Sequence, residues 1–252
     1  MTTPWPVERA RRWQSESGWL VGCNFTPSCA GSQLEMWQPA TFAPDIIDRE
    51  LSWAAGLGMN VVRVYLHNLL FDQDQDGFLA RIDQVLGLAE AYGIRMLPVL
   101  FDGVWHPRPR LGVQPEPRPR VHNSIWVQAP GSSVLHDRTQ WPDLRPYVEA
   151  VVTRFAQDPR VVAWDLFNEP DQVDALTIAG DSRAAKAEAA TELVACVFDW
   201  VRAIDPAQPL TVGIWEYGPD HQPAANALNE MILARSDILS FHCYEPRAQL
   251  NA

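Results

Sequence analysis

Apolar positions along the chain follow a repeating unit: a short apolar run, a loop, and then a segment with helical spacing. Unbroken apolar runs of about four to eight residues predict buried strands, and apolar residues three and four apart predict helices with one buried face. The runs predict six strands, at 19–24, 60–66, 94–101, 161–167, 210–215 and 238–243. The periodic segments predict five helices, at 44–55, 78–92, 142–156, 181–204 and 223–234.

Strands that alternate with helices indicate a parallel sheet covered by helices. An open doubly wound sheet and a (β/α) barrel both have this pattern. The first strand-to-helix connection, residues 23–45, contains no glycine-rich phosphate loop, which argues against a dinucleotide-binding fold. Polar and aromatic residues instead follow the strand ends, where barrel active sites are built. We therefore expect an α/β fold, a TIM-type (β/α) barrel, as one domain over residues 1–252.

The connection at 103–131, after the third predicted strand, is long and rich in proline. It has no helical period and contains Trp105 and Trp126. Connections of this length in compact domains are usually functional, so we expect a rigid binding loop. An insertion that merely covers the barrel is the alternative.

The charge balance restricts the class of partner. The chain has 31 acidic and 20 basic residues, a net charge of −11, and no basic stripe, which disfavours nucleic acid and anionic membranes. No apolar run approaches the roughly 18 residues of a membrane span. The first 13 residues lack the apolar core of a signal peptide, so we expect a cytoplasmic protein with four reduced cysteines, unless the true N-terminus is missing.

The sequence lacks the residues or motifs that several classes of enzyme require. Lys186 is the one lysine, and it falls in a polar, alanine-rich helical segment. Schiff-base and pyridoxal phosphate enzymes need a desolvated lysine at a barrel strand or loop. There is no HxH or HExxH zinc pattern and no G-x-S-x-G serine motif. We expect neither a cofactor nor a metal in the site.

One acidic segment matches most of a calcium-loop template. Asp72, Asp74 and Asp76 alternate before Gly77, but Asp83 stands where the template has a bidentate glutamate. An acidic turn that caps the following helix is the alternative. The sequence leaves both open.

The most specific motif is the segment WDLFNEP at 164–170. A buried strand ends in Asn168 and Glu169, and Pro170 prevents further ladder pairing. The strand therefore places an amide and a carboxylic acid side by side at the barrel mouth. Such an acid suits general acid–base catalysis, and such an amide suits hydrogen bonding to a substrate hydroxyl.

With these motifs the chain resembles glycoside hydrolases of the large retaining clan of (β/α)8 barrels, in particular the cellulase-type family 5 proteins. Arg63 in NVVRVYL matches the second-strand arginine, Asn168-Glu169 the fourth-strand pair, and His242-Cys243-Tyr244 the sixth-strand His-x-Tyr. The resemblance implies hydrolysis of O-glycosidic bonds in a β-linked oligo- or polysaccharide. It implies a retaining two-carboxylate mechanism with Glu169 as acid/base.

The resemblance also implies binding roles for Arg63, His242 and Tyr244. In the clan the arginine orients the nucleophilic carboxylate and holds it ionised. The His-x-Tyr pair lines the sugar site and hydrogen-bonds the catalytic carboxylates. A structural ion pair is the alternative for Arg63, because a buried arginine is costly unless it is paired. Core packing is the alternative for His242 and Tyr244.

Tryptophans near the strand ends are candidates for stacking on a sugar, because indole presents a flat apolar face to the C–H face of a pyranose. Any single one is more often a core residue, so we expect at least one of the four to stack: Trp37, Trp105, Trp126 and Trp215. Glu35 and Glu216 lie beside two of them and could bond sugar hydroxyls.

The number of units limits what this chain can contain. Six units fill the 252 residues, so we expect about six of the eight units of a closed barrel. The second carboxylate of a retaining glycosidase lies about 5–5.5 Å from the first, and in the clan it ends strand seven. We expect this nucleophile to be missing, since Glu245 follows the wrong strand.

Two interpretations of the missing nucleophile remain open. One is an incomplete glycoside hydrolase sequence. The other is a non-catalytic carbohydrate-binding or interaction protein descended from a glycosidase. In both, unpaired edges on the first and sixth strands favour self-association.

Overall fold

The computed structural model describes residues 3–173, 182–215 and 224–244. In this part of the chain, six parallel strands form one sheet in sequential order. The strands are β1 (Gly22–Asn24), β2 (Val61–Tyr65), β3 (Arg95–Val99), β4 (Trp164–Asn168), β5 (Leu210–Ile214) and β6 (Ser240–Phe241). A doubly wound sheet reverses its strand order at a switch point. The sequential order therefore confirms the predicted barrel-type arrangement.

The described part of the chain contains the five predicted helices, four α-helices that were not predicted and one short 3-10 helix. The α-helices in the described part are α1 (Val7–Ser17), α2 (Gln33–Trp37), α3 (Pro44–Gly56), α4 (Asn68–Gln73), α5 (Gln75–Ala91), α6 (Ser132–His136), α7 (Trp141–Phe155), α8 (Arg183–Ile204) and α9 (Ala227–Arg235). The predicted helix starts at 181 and 223 lie outside the described residues. The buried faces of the longer helices pack with the central strands into one apolar core.

The sheet curls, so that side chains from distant strands meet on its inner face. Arg63 on β2 reaches Asp165 on β4, with 2.5 Å between Nη2 and Oδ2. His242, directly after β6, contacts Glu169 at the end of β4. Neighbouring strands lie about 4.8 Å apart, and each of these contacts skips a strand. This geometry is that of part of a (β/α) barrel.

The outermost strands of the sheet are shorter and more exposed than the sequence predicts. β1 covers three residues of the predicted 19–24, all exposed, and β6 covers two of the predicted 238–243. Each is paired with one neighbour among the described strands, whereas β2 to β5 are paired on both sides. An apolar run therefore overestimates strand length where pairing is one-sided.

The apolar pattern does not predict helix α1, because none of its residues is buried. It is attached to the amino ends of the strands by polar contacts instead. The Trp13 indole N–H donates to the Val162 carbonyl (3.1 Å), and the Trp5 backbone N–H donates to Asp237 (2.7 Å). These two partners precede β4 and β6, so the segment covers the end of the sheet opposite the strand ends that carry the motifs.

The acidic segment before α5 is a helix cap, and the calcium alternative is wrong. The Asp74 carboxylate accepts from the Gly77 backbone N–H (3.0 Å) and pairs with Arg81 (2.9 Å). The hydrogen bond from Arg81 and then that from Gly77 lower the pKa of Asp74. Asp72 and Asp76 do not join it, and the described residues hold no group of three His, Cys, Asp or Glu side chains suited to a metal.

Two further observations on the helices concern the position of Lys186 and the length of the apolar helices. Lys186, expected in a polar helix, is fully buried on the inner face of α8. None of the helices in the described ranges has the length and hydropathy to cross a bilayer.

Candidate active site

A cavity of about 1030 Å³ opens at the carboxyl ends of the strands. Residues at or after β1, β2, β4, β5 and β6 line it, together with the connection at 103–131. Eight of the nine predicted site residues line this cavity: Arg63, Trp105, Trp126, Asn168, Glu169, Trp215, His242 and Tyr244. The prediction that they share one cleft therefore agrees with the structure, while their chemical roles stay predictions.

Glu169 leaves β4 through a left-handed backbone conformation, with φ of +42°. This region costs a residue with a Cβ roughly 1–2 kcal/mol, so the surrounding structure must hold it. The backbone N–H donates to the Gly213 carbonyl on β5 (3.1 Å). The turn brings the side chain to the cavity wall, where Glu169 is 8% exposed.

The Glu169 carboxyl shares a hydrogen bond with the ring of His242, between Oε1 and Nδ1. The His242 backbone N–H donates to the Ile214 carbonyl (2.8 Å), which continues the pairing of β6 with β5. Gly213 makes this approach possible, because a Cβ there would lie 3.0 Å from His242 Nε2. The geometry fits the predicted contact between this histidine and a catalytic carboxyl, and it disfavours the core-packing alternative.

The Asn168 amide is oriented at both of its ends. Its Nδ2 donates to Asp102 Oδ1 (2.9 Å), and its Oδ1 accepts from Arg63 Nη2 (2.9 Å). The second N–H of the amide makes none of the hydrogen bonds found among the described residues. The amide is thus held so that an N–H can be offered to a substrate hydroxyl.

Arg63, whose side chain is 12% exposed, forms an ion pair with the fully buried Asp165, as its position in a strand requires. Its Nε and Nη2 donate to Asp165 Oδ2 at 3.0 and 2.5 Å, and Nη1 donates to the Tyr65 hydroxyl and to Asn24 Oδ1. Burial opposes the charge, but Asp165 prevails and raises the pKa of Arg63 above its ordinary value. The structural ion pair, which was the alternative role for Arg63, is therefore present. The guanidinium group is hydrogen-bonded to both Asp165 and Asn168.

Asp165 was not predicted as a site residue. Regular alternation would place side chains at 165 and 168 on opposite faces of the strand. A register shift lies between these two positions where β4 pairs with β5, and both side chains consequently contact Arg63. The signal that could have found it was an acid in the middle of an otherwise apolar strand.

Asp102, after β3, is the second acid beneath the site. It is buried, and its Oδ1 accepts from Asn168 and from the Val104 backbone N–H (3.0 Å). Burial raises the pKa of Asp102 to about 7, against the lowering effect of these two hydrogen bonds. This carboxyl therefore changes its charge near neutral pH.

An aromatic wall, formed by Tyr65, Trp105 and Trp126, borders the cavity. Adjacent rings meet edge to face, with centroids 5.0 Å apart for Tyr65 and Trp126 and 6.0 Å apart for the two indoles. The Trp105 indole N–H is buried and has no partner among the described residues. The connection at 103–131 thus builds the cavity wall, as a binding loop would. Stacking of a sugar on this wall remains a prediction.

Trp215 and Tyr244 lie on the other side of the cavity. The Trp215 indole N–H donates to Asp171 Oδ1 (2.8 Å), which fixes the ring where β5 ends. Tyr244 is 91% exposed at the rim, so the core-packing alternative for it is wrong.

Trp37 is wrongly predicted as a stacking residue. Its side chain is fully buried, meets Phe78 edge to face at 5.9 Å, and donates its indole N–H to the Tyr65 carbonyl (2.8 Å). The apolar face of α2 packs against the core. A helix of five residues is too short for its sequence to show which face is buried. Glu35 is also absent from the cavity wall, because its Oε2 accepts from the Gly31 N–H (2.7 Å).

The other polar residues that follow strand ends either do not line the cavity or lie outside the described residues. His67 is buried, caps α4, and contacts the Gln128 carbonyl through Nε2 (3.1 Å). Burial lowers the pKa of His67 to about 4, so it is a neutral structural residue at neutral pH. Glu216 and Glu245 lie outside the described residues.

The sequence of residues 35–251 matches the family described as Cellulase (glycosyl hydrolase family 5). The chain belongs to glycosyl hydrolase family 5. The fold, the strand-end cleft and the acid in that cleft agree with this membership. A comparison with curated protein sequences finds no match.

Solved structures with the same fold include several glycosidases. The endo-1,4-β-mannanase of Eisenia fetida matches with a TM-score of 0.60 and 14% identity, over 92% of this chain and 74% of that one. The β-mannanase of the blue mussel Mytilus edulis matches with a TM-score of 0.57 and 13% identity, over 90% and 71%. At these identities the likeness shows the fold alone.

GH5_18 from Streptomyces cattleya, in complex with Manβ1-4GlcNAc, matches with a TM-score of 0.58 and 13% identity. The match covers 88% of this chain and 51% of that one. The chain thus spans about half the length of this family 5 structure.

Proposed function

We propose that the protein is a retaining glycoside hydrolase for which this chain supplies the acid/base, Glu169. One observation carries the proposal: the Glu169 carboxyl reaches the wall of a 1030 Å³ cavity while hydrogen-bonded to His242. A carboxyl at the end of a barrel strand, beside a second proton-carrying side chain, can both give and take a proton. Membership of family 5 supports the same reaction class.

In the proposed first step, Glu169 protonates the glycosidic oxygen as its bond to the sugar breaks. In the second step, the same carboxylate takes a proton from water, which hydrolyses the glycosyl-enzyme intermediate. Asn168, held by Asp102 and Arg63, offers an N–H to a sugar hydroxyl. The aromatic wall offers apolar faces to sugar rings.

The substrate we propose is a neutral β-linked oligo- or polysaccharide, with β-1,4-mannosides as the first compounds to test. The mannanases of Eisenia and Mytilus and the complex with Manβ1-4GlcNAc support this order of testing. No cation in the described cavity wall is available to attract an acidic sugar without competition, because the Arg63 guanidinium is paired with Asp165.

The second carboxylate of the mechanism comes from outside the described residues in this proposal. Among the described residues that line the cavity, Glu169 is the only carboxylic acid. Asp165 is bound to Arg63, and Asp102 lies beneath Asn168. This observation also favours the alternative function, a carbohydrate-binding protein that uses the same cleft without hydrolysis.

The experiment that tests the proposal compares Glu169→Gln with the unchanged protein on two classes of substrate. A β-1,4-manno-oligosaccharide has a poor leaving group and needs the acid, whereas a dinitrophenyl β-glycoside does not. We expect kcat/KM to fall by about 10²–10⁴-fold on the oligosaccharide and far less on the aryl glycoside. Glu90→Gln, the same change at an exposed position on α5, is the matched control.

Equal losses on the two substrates would contradict the acid role of Glu169. Oligosaccharide binding without turnover, measured by calorimetry on the unchanged protein, would favour the carbohydrate-binding alternative.

A further inference from the structure

We propose that Lys186 is a positioning residue for Glu169, holding the turn that carries this acid through a buried ammonium group. This inference rests on the proposed function, because it assigns Lys186 a part in acid catalysis. Lys186 is the only lysine of the chain, and nothing in the sequence pattern marks it as more than a helix residue.

The contacts of Lys186 join two separate loops. It lies on the inner face of α8 and is fully buried. Its Nζ donates to the carbonyl of Gly103 in the loop after β3 and to the carbonyl of Gln172 in the loop after β4, each at 2.5 Å. A buried ammonium group is costly to desolvate and is retained where strong acceptors surround it. The side chain therefore ties these two loops together from below the cavity.

Both carbonyls belong to segments that touch the Glu169 turn directly. The Gly103 N–H donates to the Asn168 carbonyl (2.8 Å), and the Gln172 N–H donates to the Glu169 carbonyl (3.1 Å). A Cβ at position 103 would lie 2.3 Å from the Glu169 carbonyl oxygen. Gly103 thus packs against the backbone of the turn, and the turn ends at Gln172. Lys186 closes this ring of contacts.

A turn of this kind needs such support because Glu169 has φ of +42°, a conformation that a residue with a Cβ adopts only under constraint. Without the ammonium group, the loops after β3 and β4 can separate and φ can relax. The carboxyl would then move away from His242 and from the position of the leaving-group oxygen. Misplacement of a catalytic group by about 1 Å can cost on the order of 100-fold in rate.

The test replaces Lys186 with methionine, which keeps the length of the side chain and removes the donors. We expect kcat/KM on a β-1,4-manno-oligosaccharide to fall on the order of 10–100-fold, with less than about a threefold change in kcat/KM on a dinitrophenyl glycoside. The comparison uses kcat/KM because this constant reports the step in which Glu169 acts as an acid, whereas kcat on the aryl glycoside also includes the later step in which it acts as a base. A purely structural role would lower both activities together, in step with the fraction folded. Lys186→Arg keeps a cation with several donors and should recover part of the loss.

The matched control is Arg138→Met, which also replaces a cation with methionine. Arg138 pairs with Glu192, which lies on the outer face of α8, the helix that carries Lys186. This variant should leave both activities unchanged. Loss of both activities to the same extent in the Lys186 variants, or no loss in either variant, would overturn the proposal. If Lys186→Met does not fold, the same comparison is made with Lys186→Arg.

A second readout does not depend on turnover. In a crystal structure of Lys186→Met, we expect Glu169 to leave the left-handed region and its contact with His242 to break. An unchanged Glu169 backbone and an unchanged contact would overturn the positioning role, even if the unchanged protein only binds sugar. An inactive unchanged protein with the expected crystallographic change would instead contradict the hydrolase proposal and retain the structural part of this one.

Discussion

At the scale of single residues, two buried groups in or beside the site have pKa values shifted in opposite directions. Burial raises the pKa of Asp102 to about 7 and lowers the pKa of His67 to about 4. The stability that Asp102 contributes when protonated is complete below its ordinary pKa of 3.8 and is lost as pH rises towards about 7. The contribution of neutral His67 is complete above 6.5 and is lost as pH falls towards about 4. The two effects oppose each other between these limits.

Asp102→Asn should therefore change how stability depends on pH. The amide retains an oxygen for Asn168 and Val104 but has no charge to bury. We expect the free energy of unfolding at pH 8 to exceed that of the unchanged protein by on the order of 2–4 kcal/mol, with little difference near pH 4. Urea unfolding at pH 4, 6 and 8 measures this. Asp76→Asn, at an exposed position, is the control, and parallel pH curves for Asp102→Asn and the unchanged protein would show that Asp102 ionises normally.

At the scale of elements, the connection at 103–131 does more than cover the barrel, because it supplies Trp105 and Trp126 to the cavity wall. Trp126 is almost fully buried, so its removal would damage the fold as well as the cleft. Trp105 is more accessible and its indole N–H lacks a partner among the described residues, which makes it the better probe of binding.

Trp105→Ala should weaken the binding of a β-1,4-linked oligosaccharide about 10-fold, because loss of one aromatic contact costs about 1.5 kcal/mol. Calorimetry on the Glu169→Gln background measures binding without turnover. Val113→Ala, at a fully exposed position of the same connection, should have no effect. An unchanged Kd in the Trp105 variant would assign this tryptophan to packing alone.

At the scale of the whole molecule, exposed apolar side chains accompany the two outermost strands. Trp19 and Val21 precede β1, and Leu239 and Phe241 lie at β6, each between 42% and 85% exposed. Outer strands with exposed apolar side chains are templates for pairing with another chain. We therefore expect a polypeptide limited to residues 1–252 to self-associate.

Light scattering coupled to size-exclusion chromatography tests this expectation. Val21→Lys should shift the protein towards the monomer, because a charge at a strand edge opposes pairing. Leu233→Lys, at an exposed position on α9 rather than on a strand, is the control for added charge. A monomeric unchanged protein would contradict the prediction.

Much of the fold was open to prediction from the sequence, since helices and buried strands impose different periods on apolar residues. The central strands and the helices α3, α5 and α7 lie within a few residues of their predicted positions. The convergence of Arg63, Glu169 and His242 was also predictable, because the carboxyl ends of parallel strands meet at one edge of a sheet. These features follow from local pattern and topology.

Only the tertiary structure decided the features that depend on which neighbours a residue meets. The irregular pairing of β4 turned Asp165 towards Arg63, and the packing of short helix α2 took Trp37 into the core. The inner face of α8 buried Lys186 under the Glu169 turn, although its local sequence is typical of a solvated helix. Local periodicity specifies that a segment is helical or extended. The partners of a polar side chain are set by contacts between segments far apart in the chain, which no local pattern encodes.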